Sequence, residues 1–191
     1  MAAANSANDA ENRIMGMMVG SALGDAVGLY TEFLTSAQAK EYYPNGFRLD
    51  PTGVNQTKYY PDRHRGNFYD SGWTDDTDMA LCILLTFLDT GTLDKFEVAT
   101  RFRHWWEQGL RAVDTMGEGI GRQTRVILGD DDYLKGNNGP EDAARAFWTD
   151  KGCGKKGGAG NGAIMRTHPV GASMLSLISN SIIPSQSHLT L

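Results

Sequence analysis

The feature that most constrains the fold is an apolar run, Met79 to Leu85, that directly follows the acidic string Trp73-Thr74-Asp75-Asp76-Thr77-Asp78 and continues after Thr86 with Phe87 and Leu88. In a helix, apolar residues would cover nearly the whole circumference of this run, which is typical of a helix in the centre of a core. Thr74 is a suitable N-cap, and Thr90-Gly91 is a suitable end. The sequence therefore predicts a central helix over 75–89 with acids on its first turn.

The three carboxylates at the start of this helix are close enough to repel one another. At a separation of ~4 Å and an effective dielectric constant near 20, each pair costs about 4 kcal/mol. Such a group stays in water, shares a proton or holds a cation. Thr74, Asp75 and Asp76 offer only oxygen donors, which suit Mg²⁺, Mn²⁺ or Ca²⁺ and not zinc. The alternative is a solvated first turn, where the helix dipole favours acids in any case.

Composition narrows the class of protein. The chain has 191 residues, 40% of them apolar, and a net charge of −5, which predicts one sizeable core. No basic run is longer than Lys155-Lys156, and no apolar run approaches the ~20 residues of a membrane span, so we expect neither a nucleic-acid nor a membrane partner. The N-terminus lacks the features of a signal peptide, and Cys82 and Cys153 lie in unlike settings. We therefore expect a soluble protein of the cytoplasm, with the nucleus as the alternative.

The N-terminal region predicts a long helix with an unusual surface. Asn8 and Glu11 form a capping-box pattern, which predicts a helix over about 9–27. Glycine recurs every fourth residue along it, at Gly16, Gly20, Gly24 and Gly28. Since each glycine costs a helix up to ~1 kcal/mol relative to alanine, we expect another helix to pack tightly on this stripe. Asp25, beside the stripe, is interpreted as a helix-end cap or an ion-pair partner.

The remaining segments predict further helices and one long irregular stretch. Residues 43–72 carry seven prolines and glycines without any period, which is typical of a functional loop or lid. Asp94 can cap a helix that ends at Gly109 and buries an aromatic face. Asp114 can cap a helix to Leu128, and Pro140 suits the start of a short helix near 140–148. No segment alternates as a strand would, so the predicted fold class is all-α.

A glycine-rich loop over residues 152–162 is the second chemical feature. Six glycines in eleven residues expose backbone N–H groups, and Asn161 can cap a helix that begins near Ala163. A glycine loop that leads into a helix can bind an anion. It is not a P-loop, because Lys156 stands where Ser or Thr is needed and no strand precedes it. A flexible linker is the alternative interpretation.

Four segments, in this order, resemble the ADP-ribosylglycohydrolase family, the dinitrogenase-reductase-activating type of ADP-ribosyl hydrolase. They are G-S-A-L-G-D-A-V-G at 20–28, W-T-D-D-T at 73–77, D-T-M-G at 114–117 and G-N-G-A-I-M-R at 160–166. The resemblance covers roughly residues 14–171. It implies an all-α fold, a two-metal Mg²⁺ or Mn²⁺ centre, and removal of ADP-ribose from a modified protein side chain. ADP-ribosylated protein or ADP-ribose is then the expected partner.

The resemblance also assigns roles to residues. Thr74, Asp75 and Asp76 match the family's metal ligands. Glu32, seven positions after Asp25, matches a proposed catalytic glutamate, and Asp114 matches an acid near the distal ribose. The loop around the phosphates and ribose is matched by Gly157, Gly158, Ala159, Gly160, Asn161 and Gly162. Without that spacing match, Glu32 reads as an exposed loop acid.

The resemblance does not extend over the whole family fold. Family members carry a further helical half with a second metal motif, D-x-D-T/S, and no such string follows Asp150. Residues 1–171 are therefore interpreted as the N-terminal part of the family domain, and 172–191 as a divergent, Ser-rich tail. We expect a truncated hydrolase with impaired activity. The alternative is a non-catalytic module that binds ADP-ribose or is purely structural, and the linkage (arginine, serine or polymer) stays open.

Overall fold

The structure, a computed structural model, describes residues 2–50, 52–110, 116–150 and 160–174. The described α-helices are α1 (Ala2–Gly28), α2 (Ser36–Tyr42), α3 (Asp75–Thr90), α4 (Lys95–Gln108), α5 (Arg122–Leu128) and α6 (Gly139–Asp150). Residues 168–174 are also helical, and short 3-10 helices cover Arg65–Asn67 and Asn161–Ala163. The described ranges contain no strand, so the all-α prediction is confirmed. None of their helices is long and apolar enough to cross a bilayer.

Helix α3 lies at the centre of the core, as its apolar circumference predicts. Thr74 caps its first turn by accepting a hydrogen bond from the Asp76 N–H, and Gly91 ends it in the left-handed conformation at φ 71°. It packs against α4, and α4 in turn packs against α5 and α6. The core is formed by Met79, Cys82, Ile83, Ala99, Phe102, Trp105, Ile120, Leu128, Tyr133 and Ala143.

Helix α4 also follows its local signals. Asp94 accepts hydrogen bonds from the N–H groups of Phe96 and Glu97, and Gly109 follows the last helical residue. Phe102 and Trp105 are buried on the face that meets α3. The aromatic face is therefore core, as predicted.

Two helix starts were predicted wrongly. Asp114 itself lies outside the described residues, but 116–121 are not helical and α5 begins only at Arg122. At Gly117 the backbone itself packs against the Trp105 ring, because a Cβ there would lie only 2.7 Å from the ring. Asn161 does not cap a helix either: it lies inside a 3-10 turn that Gly160 precedes, without a side-chain capping bond.

The first helix differs from expectation in both extent and packing. It begins at Ala2, seven residues before the predicted start at Asp9. Within the described ranges, no neighbouring atom lies within 4 Å of a Cβ built on any of its four stripe glycines. Met15 beside the stripe is 65% exposed. The expected tight packing on this stripe is therefore wrong for this structure, because a four-residue period defines a smooth face but not a partner for it.

Gly16→Ala should consequently stabilise the protein. A helical glycine without contacts only adds conformational freedom to the unfolded chain, so we expect a gain of about 0.5–1 kcal/mol in the free energy of unfolding. Gly91→Ala is the opposite control, because its φ of 71° disfavours any side chain and should cost about 1 kcal/mol. Urea titrations measure both. A loss of stability in Gly16→Ala would show that another helix packs on the stripe in solution.

The irregular segment over 43–72 is anchored by aromatic packing at the end of α1. Tyr30 is fully buried and stacks on Phe47 with ring centroids 4.3 Å apart. Its ring also meets Tyr59 at 4.7 Å, and its hydroxyl donates to the Thr57 carbonyl at 2.9 Å. This packing holds the segment beside the loop that follows α1.

Candidate functional site

A cavity of about 760 Å³ opens between α1, the first turn of α3, and the start of α5. Its volume falls within the ~300–1,000 Å³ typical of small-molecule sites. The acids that line it are Asp25, Glu32, Asp75 and Asp76, and Thr74 lies among them. The 3-10 turn Asn161–Ala163 lines the same cavity. The structure thus brings together the predicted metal ligands, the predicted catalytic glutamate and the described part of the glycine loop.

Asp25 connects α1 to the start of α3. Its Oδ2 accepts hydrogen bonds from the N–H groups of Thr74 (2.9 Å) and Thr77 (3.1 Å) and from the Thr77 hydroxyl (2.7 Å). Its Oδ1 accepts from the Thr74 hydroxyl at 2.8 Å. The carboxylate therefore satisfies N–H groups that the first turn of a helix leaves without partners. Asp25 is a cap, but the helix that it caps is α3 and not its own.

The Thr74 hydroxyl keeps one place for a further partner. It donates to Asp25 and accepts from the Asp76 N–H at 3.3 Å. Since a hydroxyl has one proton and two lone pairs, one lone pair remains for a cation. Thr74 is among the residues that line the cavity.

Negative charge on the carboxyl groups of Asp75 and Asp76 is disfavoured in this cavity. Burial, the neighbouring Asp76 carboxylate, Asp25 and Glu32 raise the pKa of Asp75 to about 8. Burial, Asp25 and Glu32 raise the pKa of Asp76 to about 6. Mutual repulsion among acids in one cavity is the condition that a bound cation relieves.

The donor set fits a hard divalent cation in chemistry, but it is incomplete. Thr74, Asp75 and Asp76 supply oxygen atoms only, which Mg²⁺ and Mn²⁺ prefer. In the described part of the chain, however, no three His, Cys, Asp or Glu side chains converge in metal-ligand geometry. A cation here would take its other ligands from water or from a bound substrate.

Asp78, the third acid of the string, has a different role. It is buried and accepts hydrogen bonds from the indole N–H groups of Trp73 (2.8 Å) and Trp105 (2.9 Å). It is not among the residues that line the cavity. The spacing of the sequence predicts that Asp78 and Asp75 share one helix face. In the structure, the Asp78 carboxylate instead accepts hydrogen bonds from two tryptophans.

Gly119 is a site residue that sequence reasoning missed. Its φ is +82°, and a Cβ there would lie 2.8 Å from Asp75 Oδ1 and 3.2 Å from the Asp75 nitrogen. Only glycine lets the chain pass this close to the carboxylate in this conformation. The alternating glycines at Gly117, Gly119 and Gly121 were the available signal.

Gly119→Ala should therefore disturb the cavity, whereas Gly121→Ala should not. The left-handed conformation and the clash with Asp75 together predict a loss of about 2 kcal/mol or more in the free energy of unfolding. Gly121 also lines the cavity, but its φ is −65° and a Cβ there meets nothing within 4 Å. Gly121 is the N-cap of α5, where alanine is a poorer residue than glycine, so we expect Gly121→Ala to cost no more than about 1 kcal/mol. Equal losses in the two variants, measured by urea unfolding, would contradict this account.

Glu32 lies in the loop after α1, where a second segment holds it. Its Oε2 is 2.7 Å from Nε2 of His64. The buried Arg65 donates to the carbonyl of Leu29 at 2.8 Å and to the carbonyl of Glu32, and it pairs with Asp62. The other predicted catalytic residue, Asp114, lies outside the described residues.

The described part of the glycine loop packs against the start of α5. Cβ atoms at Gly160 and Gly162 would lie 3.6 Å from Gln123 Oε1 and 3.5 Å from Thr124 Oγ1. Arg166, at the end of the G-N-G-A-x-M-R segment, lines the cavity and lies over the Phe102 ring at 5.0 Å. The predicted loop residues Gly157, Gly158 and Ala159 lie outside the described residues.

Comparison with known proteins finds similarity to ADP-ribosyl hydrolases. An ADP-ribosylarginine hydrolase, Tri1, of Serratia proteamaculans is 31% identical over 144 residues, which are 71% of this chain and 34% of that protein. Tri1 of Pseudomonas putida is 29% identical over 163 residues, 83% of this chain and 35% of that protein. The ADP-ribosyl-[dinitrogen reductase] glycohydrolase of Rhodospirillum rubrum is 28% identical over 167 residues, 86% of this chain and 45% of that protein.

The chain therefore spans between a third and a half of the length of these relatives. The family model for ADP-ribosylglycohydrolase matches residues 6–185. This match includes α1 from Ser6 onwards, α3, the 3-10 helix Asn161–Ala163 and every residue that lines the cavity. On this evidence the chain belongs to the ADP-ribosylglycohydrolase family.

Proposed function

We propose that this cavity binds the ADP-ribose unit of a modified protein and that the protein hydrolyses the bond between ribose and the modified side chain. The observation that carries the proposal is the joint lining of one cavity by the acids at the start of α3, by Glu32 and by the Asn161–Ala163 turn. An acid cluster and a turn that exposes backbone N–H groups suit opposite ends of ADP-ribose, the ribose hydroxyls and the diphosphate.

Thr74, Asp75 and Asp76 are the residues that would hold Mg²⁺ or Mn²⁺. Such an ion would orient the ribose hydroxyls and lower the pKa of a bound water. Glu32 accepts the proton of the water that attacks the anomeric carbon, while the bond to the side chain breaks through an oxocarbenium-like state. The released side chain then takes up a proton. Gly160, which precedes the turn, and Gly162 keep its backbone open to a phosphate.

Charge explains why cation and substrate should bind together. The diphosphate is anionic, and the cavity already holds four acids. Two arginines, Arg122 and Arg166, also line the cavity and could face the phosphates. The four acids outnumber these two arginines, and a divalent cation would supply further positive charge.

ADP-ribosylarginine is the first linkage to test, because two of the three relatives are ADP-ribosylarginine hydrolases. The assay follows release of labelled ADP-ribose from an arginine-modified protein with Mg²⁺, with Mn²⁺ and with EDTA. We expect release that requires a divalent cation. The same assay on serine-linked and polymeric ADP-ribose shows which linkage the protein cleaves.

The second candidate function is a module that binds ADP-ribose without cleaving it. The observation that favours it is that, among the described residues, no three His, Cys, Asp or Glu side chains form a group that could hold a metal ion. Calorimetric titration with ADP-ribose distinguishes the two: binding without release on any linkage supports the module. A chain that neither binds ADP-ribose nor releases it would overturn both.

A further inference from the structure

One short segment of the irregular 43–72 stretch reaches Glu32 from two sides. The 3-10 helix Arg65–Asn67 places the Arg65 guanidinium on the main chain of the loop after α1, at the Leu29 and Glu32 carbonyls. His64, the preceding residue, meets the Glu32 side chain, with Nε2 2.7 Å from Oε2. The main chain and the side chain of Glu32 are thus held by adjacent residues of the same segment.

The imidazole of His64 is itself held between two aromatic rings. Phe33 and Phe68 meet it edge to face, with ring centroids 5.1 Å and 5.5 Å away. Phe33 has a φ of +58°, a conformation that costs a bulky residue about 1–2 kcal/mol. Its side chain is 80% exposed, so packing of Phe33 in the core does not explain that conformation. The strained residue lies directly after Glu32 and beside its histidine partner.

Electrostatics shows why Glu32 needs such a partner. The other acids in the cavity, Asp25, Asp75 and Asp76, repel its carboxylate. Glu32 is 42% exposed and could turn away into solvent. An imidazole N–H at Nε2 that donates to Oε2 would hold the carboxylate at the cavity and leave Oε1 available to a water or a leaving group.

We propose that His64 is a positioning residue, whose Nε2 fixes the Glu32 carboxylate at the rim of the cavity in the orientation that the reaction needs. The inference rests on the proposed function for its catalytic meaning. The contact between the two side chains can be tested without any activity.

The contact is tested first by NMR of the histidine rings in the whole chain. The two-bond ¹H–¹⁵N spectrum contains one ring pattern for each of the four histidines, and His64→Gln identifies that of His64. We expect Glu32→Gln to shift the Nε2 resonance of His64 and to leave the other rings unchanged. An unchanged His64 ring would overturn the proposal.

The functional consequence is tested with a graded set of variants. His64→Gln keeps an N–H donor near the position of Nε2, whereas His64→Asn is too short and His64→Leu has no donor. We expect His64→Leu and His64→Asn to lower kcat about 100-fold with little change in KM, and His64→Gln to restore most of it. His104→Leu is the matched control, because His104 is exposed on α4 and does not line the cavity.

The outcomes separate the two proposals. Equal kcat in all His64 variants, or equal loss in His64→Gln and His64→Asn, would overturn the positioning role. If circular dichroism shows that His64→Leu does not fold, the comparison of kcat between His64→Gln and His64→Asn tests the positioning role. If the unaltered chain releases no ADP-ribose from any substrate, the proposed function fails, and the ring spectrum alone then confirms or refutes that His64 holds Glu32.

Discussion

Asp75→Asn should stabilise the protein in EDTA and abolish its response to Mg²⁺ or Mn²⁺. The Asp75 carboxylate is buried among Asp76, Asp25 and Glu32, so an uncharged amide of the same shape removes repulsion. We expect a gain of about 1–2 kcal/mol in the free energy of unfolding without metal at pH 8. Under the proposed function, release of ADP-ribose should fall about 100-fold or more, because Asp75 is one of the residues that would hold the cation.

The pH dependence has a definite sign. Burial and nearby acids raise the pKa of folded Asp75 to about 8 from its usual 3.8, so the folded state favours the protonated form. That contribution to stability is fully present below about pH 4 and is lost as the pH rises towards 8. Asp75→Asn should flatten this decline, and a cation should oppose it in the unaltered chain by displacing the proton.

The matched control is Asp89→Asn, at the other end of α3. Asp89 is exposed and pairs with Arg101 outside the cavity, so its loss should affect neither metal response nor release. Thermal unfolding with and without cation measures all three proteins. If Asp75→Asn destabilised the metal-free protein, Asp75 would be a structural partner and not part of a cation site.

Asp25→Ala should produce the largest loss of stability among single substitutions in this cavity. The carboxylate accepts four hydrogen bonds from Thr74 and Thr77, two of them from backbone N–H groups of the first turn of α3. Hydrogen bonds to a charged group contribute about 1.5–3 kcal/mol each, though not additively, so we expect a loss of about 3 kcal/mol. The first turn of α3 should fray, and the cation response should disappear with it.

Asp25→Asn and Asp9→Ala complete the comparison. An amide retains one acceptor but presents a donor to groups that already donate, so Asp25→Asn should lie between alanine and the unaltered chain. Asp9 is on the same helix and forms an exposed pair with Arg13, so Asp9→Ala should not change the urea midpoint. A small effect of Asp25→Ala would mean that water replaces the carboxylate as the cap.

The helices that the sequence predicted well are those with signals inside a few residues. Thr74 and Asp94 cap α3 and α4 at the predicted positions, and Gly91 and Gly109 follow their last residues. Capping depends on the side chain and on N–H groups two or three positions away, so the local sequence contains the information. The cluster of metal-ligand candidates at the start of α3 follows from the same local geometry.

What the sequence could not show depends on contacts between distant residues. Asp25 meets Thr74 and Thr77 across 49 and 52 positions, and His64 meets Glu32 across 32. Gly119 is required only because the folded chain passes against Asp75. The glycine stripe of α1 shows the same limit. The sequence contains the four-residue period, but no helix covers the stripe in the described ranges.

The pairing of Asp78 with two tryptophans also provides an optical probe. Trp73 and Trp105 are two of only four tryptophans in the chain, and both indoles donate to one carboxylate three residues beyond Asp75. A shift of the first turn of α3, whether caused by a cation, by substrate or by loss of the Asp25 cap, changes the surroundings of both rings at once. Emission and near-ultraviolet circular dichroism of the unlabelled protein therefore report on movement of the first turn of α3.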